Sequence, residues 1–183
     1  MPNRSRPPVL PRTRFRSSGR RPNAPAHVDS PLTHQVGLEP EAVCDEEDYD
    51  RIFGINTKSV FFTLKEAARR LNDGGRIIVT STGGTRMFFP DQSLYLGSKG
   101  AVEQFVRALS WELGGRRITV NAISPGPTET DMMKDRYRDS AAAKSPFNRV
   151  GDPGDVAAVA VFLATDAARW VTGQNIGAGG GVF

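Results

Sequence analysis

No acidic residue precedes Asp29, and that gap divides the chain before any motif is read. The same stretch carries Arg4, Arg6, Arg12, Arg14, Arg16, Arg20 and Arg21, so the net charge of +4 belongs to one arm. The remainder of the chain is mildly acidic, and the basic balance of the whole says nothing about the partners of the folded part. Cysteine is nearly absent. Cys44 alone excludes an internal disulfide framework and suits a reducing compartment, so a cytoplasmic location is expected. No uninterrupted apolar run reaches the length of about eighteen residues that a membrane helix needs, so no membrane partner is expected. Internal repeats are missing, and no metal site is expected.

Residues 1 to 45 read as a disordered, basic, Pro-rich arm. Eight of the thirteen prolines lie there, and proline blocks helix interiors and central strands alike. Apolar residues in the arm are sparse and show no period. A solvated tail, an organelle-targeting peptide and an electrostatic contact to nucleic acid are the competing readings. Prolines oppose the amphipathic helix of a targeting peptide. Phe15 is the only aromatic among the arginines, which makes a nucleic-acid partner unlikely.

From Asp45 the character changes. The run Asp45-Glu46-Glu47-Asp48 suits a helix N-terminus. Tyr49, Ile52, Phe53, Val60, Phe61, Phe62, Leu64, Ala67, Ala68 and Leu71 then give helical periodicity on either side of Asn56, ended by Asp73-Gly74-Gly75. Residues 76–81 read as a strand buried on both faces. After a loop over 82–94 comes a helix to about Leu113, closed by Gly114-Gly115. A strand is predicted over 117–123, a short helix around 130–139, and a strong helix over 153–165. That last helix has Asp152 as its cap and Val156, Ala157, Val159, Ala160, Phe162 and Leu163 turned inward. A final strand is expected within 171–178. Helices alternating with strands predict an α/β layer fold with a parallel sheet.

One pair in the central helix carries chemistry. Tyr95 and Lys99 stand four residues apart, so a helix stacks their side chains on one face. A phenol with a pKa of about 10 is a poor base at neutral pH. An ammonium held close favours the phenolate and brings that value down. Alone, such a pair is commonplace. Its neighbours make it informative: Gly75-Arg76-Ile77-Ile78-Val79-Thr80-Ser81-Thr82 upstream is a strand ending in hydroxyls, and Ile118-Thr119-Val120-Asn121-Ala122-Ile123-Ser124-Pro125-Gly126 downstream is a strand ending in a Pro-Gly turn.

Together these segments resemble the short-chain dehydrogenase/reductase family, from about Glu46 to the end of the chain. The resemblance implies a partial Rossmann-like, doubly wound parallel sheet. It also implies hydride transfer between NAD or NADP and a carbonyl or secondary alcohol, with an Asn, a Ser, a Tyr and a Lys as the active site. Asn56 matches the family's mid-helix Asn, which kinks the helix and holds a water that relays protons to the Lys. Thr82 falls on the family's Ser by position, thirteen residues before Tyr95, whereas Ser81 has the residue type one place early. Either hydroxyl can donate to a developing oxyanion, and both stay open here with Thr82 ahead. Tyr95 would be the general acid for reduction. Lys99 would lower the Tyr95 pKa and bind the nicotinamide ribose. Pro125, Gly126, Thr128 and Thr130 match the segment that borders the nicotinamide. The helices bearing Asn56 and Tyr95 would pack across a subunit interface in a homo-oligomer.

The chain also departs from that pattern. The family's last strand continues to Asp-Gly-Gly, where this chain has Gly179-Gly180-Gly181. The family opens with a strand, a Gly-rich turn and a helix that hold the pyrophosphate, and no segment before Asn56 has that form. Cofactor affinity is therefore expected to be weak, and a truncated chain with one sheet edge uncovered is expected. Two functions are open: an oxidoreductase of this type, or a catalytically silent fragment that acts only by associating with other subunits. Met87, Phe88, Phe89, Met132 and Met133 could line an apolar substrate pocket.

Overall fold

The computed structural model describes residues 44–183; the arm predicted over 1–45 therefore falls almost wholly outside the described residues. Helix α1 (Glu46–Phe53) runs through a π-helical turn (Gly54–Lys58) into α2 (Ser59–Arg70). Strand β1 (Arg76–Thr80), the long helix α3 (Ser93–Leu113) and strand β2 (Thr119–Pro125) come next. Then come α4 (Asp135–Ala142), α5 (Pro153–Ala164) and β3 (Asn175–Ala178). The three strands form one parallel sheet in the order β1-β2-β3.

Local chemistry explains the boundaries. The Asp45 carboxylate accepts from Asp48 N at 2.9 Å and caps α1. At α5 the cap is reciprocal: Asp152 accepts from Gly154 N at 2.7 Å, while Asp155 Oδ2 accepts from Asp152 N at 2.7 Å. The strand predicted over 117–123 begins two residues later. Arg117 closes a 3₁₀ turn with φ at 56°, a conformation that no strand accepts. The last strand falls within the predicted window, at its end over 175–178. Gly173, with φ at 70°, turns the backbone, and the segment before β3 is pinned by side chains of β2. Asn121 donates to Val171 O at 2.8 Å and accepts from Gln174 N at 3.1 Å. The short helix expected around 130–139 lies over 135–142.

β2 is buried on both faces, as a central parallel strand must be. On one face Val120 and Ala122 pack with Ile77, Leu64, Val106 and Leu113 against α2 and α3. On the other, Ile123 packs with Leu163 and Ala168 beneath α5, joined by Val159, Ile176 and Ala178. Burying one such aliphatic side chain contributes about 1.5–3 kcal/mol, so these two layers carry most of the cohesion. The inward reading of α5 needs two corrections: Ala157 is exposed, and Phe162 is 45% exposed. Helix α5 is apolar nearly all round, so its sequence does not single out one face. Tyr49, Phe61 and Phe62, part of the periodic stripe of α1 and α2, are about half exposed too.

Candidate active site

The chemistry gathers at the carboxyl end of β1, where α3 crosses it. Tyr95 and Lys99 lie in the first two turns of α3, both half-buried. Lys99 Nζ donates to Thr80 O, the last residue of β1, at 3.2 Å. The Thr82 side chain is the polar group that acts on the Tyr95 phenol. Burial pushes the Tyr95 pKa above its ordinary value, and the Thr82 hydroxyl opposes that rise. Burial also lowers the Lys99 pKa. Burial is thus the largest influence on both groups in this structure.

The two candidate hydroxyls face different ways. Ser81, 3% exposed, donates to Glu103 Oε1 at 2.7 Å. Thr85 donates to the same oxygen at 2.7 Å. Thr82 Oγ1 instead accepts from Gly84 N at 3.2 Å, capping a 3₁₀ turn (Gly83–Arg86), and meets Tyr95. The structure therefore sets Thr82 against Tyr95, anchors Lys99 to the end of β1 and ties Ser81 to α3.

Asn56 sits within the π-helical turn, where its resemblance implied a kink. Its Nδ2 donates to Ser98 Oγ at 3.0 Å, and Ser98 Oγ donates to Tyr95 O at 2.7 Å. Thr57 Oγ1 adds a bond to Ser98 O at 3.1 Å. Asn56 thus meets the Tyr95 helix through a wholly buried serine.

Pro125 and Gly126 close β2. Gly126 N donates to Ala178 O at 3.3 Å, and a Cβ at Gly126 would stand 2.7 Å from Gly179 Cα. The backbone there is too close to β3 for any side chain. Thr128 Oγ1 turns back to Gly126 O at 2.9 Å, and Thr130 Oγ1 reaches Thr128 O at 3.5 Å. No described hydrogen bond joins these two threonines to Tyr95 or Lys99.

Sequence reasoning passed over Glu103, Ser98 and Thr85. Glu103 carried a usable signal: it lies eight residues after Tyr95, on the same helical face as Lys99. Ser98 carried none, since a small polar residue in a helix has no periodic signature. Among the described residues, no cluster of acidic, His or Cys residues fit for a metal is found.

A family model described as enoyl-(acyl carrier protein) reductase matches residues 31–183. The chain belongs to the short-chain dehydrogenase/reductase family. Versicolorin reductase stcU of Emericella nidulans is 43% identical over 153 residues, covering 75% of this chain and 58% of the relative. A short-chain dehydrogenase/reductase of Pestalotiopsis microspora, GME11373, is 45% identical over 152 residues, covering 74% and 57%. The crystal structure of the landomycin C-6 ketoreductase LanV with bound NADP and rabelomycin superposes with a TM-score of 0.74. Its identity is 39%, with coverage of 80% of this chain and 57% of that one. The chain thus spans a little over half the length of these family members. The family match starts at residue 31, ahead of the Glu46 boundary at which the motifs begin.

Proposed function

We propose that this protein transfers hydride from a nicotinamide dinucleotide to a ketone, with Tyr95 as the proton donor. The observation that carries this reading is the convergence on the carboxyl end of a parallel strand of Tyr95, on whose phenol Thr82 acts, and of Lys99, bonded to Thr80 O one helical turn further on. Sites in open α/β sheets lie at that end. Thr82 is the hydroxyl assigned to the substrate oxygen. Ser81, whose proton is committed to Glu103, supports the loop. Burial keeps the Tyr95 proton in place through neutral pH, which suits a group that protonates an alkoxide as charge develops on it.

The residues present fit the chemical end of a nicotinamide cofactor. An ammonium carries three donors and the bond to Thr80 uses one, which leaves Lys99 able to hold ribose hydroxyls. Pro125, Gly126, Thr128 and Thr130 are assigned as the neighbouring wall. The cofactor supplies the reducing equivalent when bound; LanV, bound to NADP, favours NADP over NAD here. Asn56, through Ser98, holds the Tyr95 helix in place, and a proton relay to Lys99 through water is assigned to it. The substrate is assigned as an apolar carbonyl or secondary alcohol. Phe88 stands fully exposed between the Thr82 turn and α3, and Met132 is 51% exposed on the loop after β2.

A homo-oligomer built through the Asn56 and Tyr95 helices is part of the same proposal. Ile55, Phe61, Phe62 and Trp111 leave apolar surface exposed on those helices. No described helix is long and apolar enough to cross a membrane; the single cysteine favours a cytoplasmic setting. A silent fragment is the less favoured reading, because the similar proteins are reductases by name. The deciding experiment measures NADPH consumption by the full chain over a panel of aromatic and aliphatic ketones. Turnover that vanishes in Tyr95→Phe supports the reading, and turnover unchanged in that variant overturns it.

A further inference from the structure

The last residue described, Phe183, is not at the reacting atoms, yet its ring lies against the turn that carries Thr82. Gly180 and Gly181, with φ at 60° and 80°, reverse the chain after β3, and Val182 N donates back to Gly179 O at 3.3 Å. Only glycine takes two such conformations in succession at little cost. The reversal lays the Phe183 ring over the end of β3. A Cβ at Gly179 would stand 2.4 Å from the ring, and one at Gly177 would stand 3.0 Å from it. Residues 177 and 179 share one face of the strand, and it is the face turned to α3, because Ile176 and Ala178 pack toward α5. The ring therefore fills the space that a side chain at 179 would occupy.

The same ring meets Gly83. A Cβ there would stand 2.0 Å from it, closer than at any other glycine described. Gly83 is buried, comes directly after Thr82 and opens the 3₁₀ turn that Thr82 caps. Its backbone is not in the left-handed region, so the ring alone forbids a side chain. Arg86, which ends that turn, lies over the Phe183 ring at 5.7 Å and also donates to Asn175 O. The Thr82 turn is thus held from two sides: Glu103 of α3 takes Ser81 and Thr85, and Phe183 with Arg86 ties the turn to β3.

We propose that Phe183 is a positioning residue: its ring, seated on Gly83, Gly177 and Gly179, sets the turn that aims the Thr82 hydroxyl at Tyr95. This rests on the role given to Thr82 above, but its contacts can be tested without turnover. Thermal melts of the wild type, Gly83→Ala, Phe183→Ala and the double variant test the seat. Gly83→Ala is expected to lower the midpoint by several degrees, and most of that loss should disappear once the ring is gone. Additive losses would overturn the contact. Where the Gly83→Ala chain does not fold, the same cycle with Gly179→Ala decides the point.

Positioning is read separately, from the ionisation of Tyr95, monitored by NMR of labelled tyrosine ring carbons and assigned with Tyr95→Phe. In the wild-type background, Thr82→Val should shift the Tyr95 midpoint upward, because a donor to the phenolate is lost. In Phe183→Ala the same substitution should no longer move it, and Phe183→Leu should restore part of the shift. An equal shift with and without the ring would overturn the proposal. Reductase activity that survives Tyr95→Phe would defeat the assigned reaction and leave both of these cycles decisive.

Discussion

The side-chain amide of Asn56 donates to the hydroxyl of Ser98 at 3.0 Å, across 42 residues of sequence. Ser98 is fully buried, and its hydroxyl donates in turn to Tyr95 O. Ser98→Ala therefore strands a polar amide and removes a tie between the two helices of the site. The expected cost is about 1–3 kcal/mol in urea unfolding. Asn56→Ala should cost less, since the serine keeps its bond to Tyr95 O. Equal midpoints for Ser98→Ala and the wild type would show that the tie contributes nothing.

Tyr95→Phe removes the proposed proton donor and keeps the ring. Ketone reduction should fall about 100- to 10,000-fold in kcat. The raised pKa of Tyr95 also gives a sign to the pH profile. Reduction needs the protonated phenol, so its rate should stay level through neutral pH and fall only in alkali. Oxidation of the alcohol needs the phenolate and should climb with pH over the same range. Initial rates in both directions from neutral to alkaline pH check this, and an oxidation rate flat with pH would contradict it.

Thr82→Val and Ser81→Ala should separate cleanly. Losing the hydroxyl that faces Tyr95 should lower kcat by about 100- to 1,000-fold with little change in melting. Losing the Ser81 hydroxyl deprives Glu103 of one donor and should cost about 1 kcal/mol of stability while most turnover persists. The reverse pattern would make Ser81 the hydroxyl of the site.

Acid should weaken the fold through Asp155. The Arg149 guanidinium, then the Asp152 backbone N–H, hold its carboxyl at about 2, against an ordinary 3.8. Because the folded value is the lower one, the carboxylate stabilises the fold above the ordinary value. That contribution fades as pH falls from 3.8 through about 2. Asp155→Asn should flatten the loss of stability over this window, measured as urea midpoints against pH. A wild-type slope retained in the variant would place the acid sensitivity elsewhere.

The layers were readable because periodicity reports burial. The continuous run at 119–124 is a strand covered on both sides, and Asp152-Pro153 starts a helix where capping chemistry requires it. The start of β2 was less readable, because Arg117 leaves the extended conformation for a local reason that no pattern carries. Within the site, the spacing of Tyr95 and Lys99 was legible, but the choice between Ser81 and Thr82 was not. Both hydroxyls lie just past the end of β1, and only the assembled structure shows that Ser81 is turned to Glu103 of α3. The opposing influences on Tyr95 were equally hidden, since burial is a property of the assembled layers.

The stretch from Gly54 to Lys58 winds wider than the helices on either side of it. Such a bulge accommodates one more residue than an ordinary turn would. Removing one residue there would let the rungs close at normal spacing and swing everything before it by about 100° around the axis. Tyr49 and Phe53, now stacked at 4.3 Å, would be carried round with it. The direction in which α1 leaves the domain is therefore encoded by a count of residues rather than by the identity of any one of them.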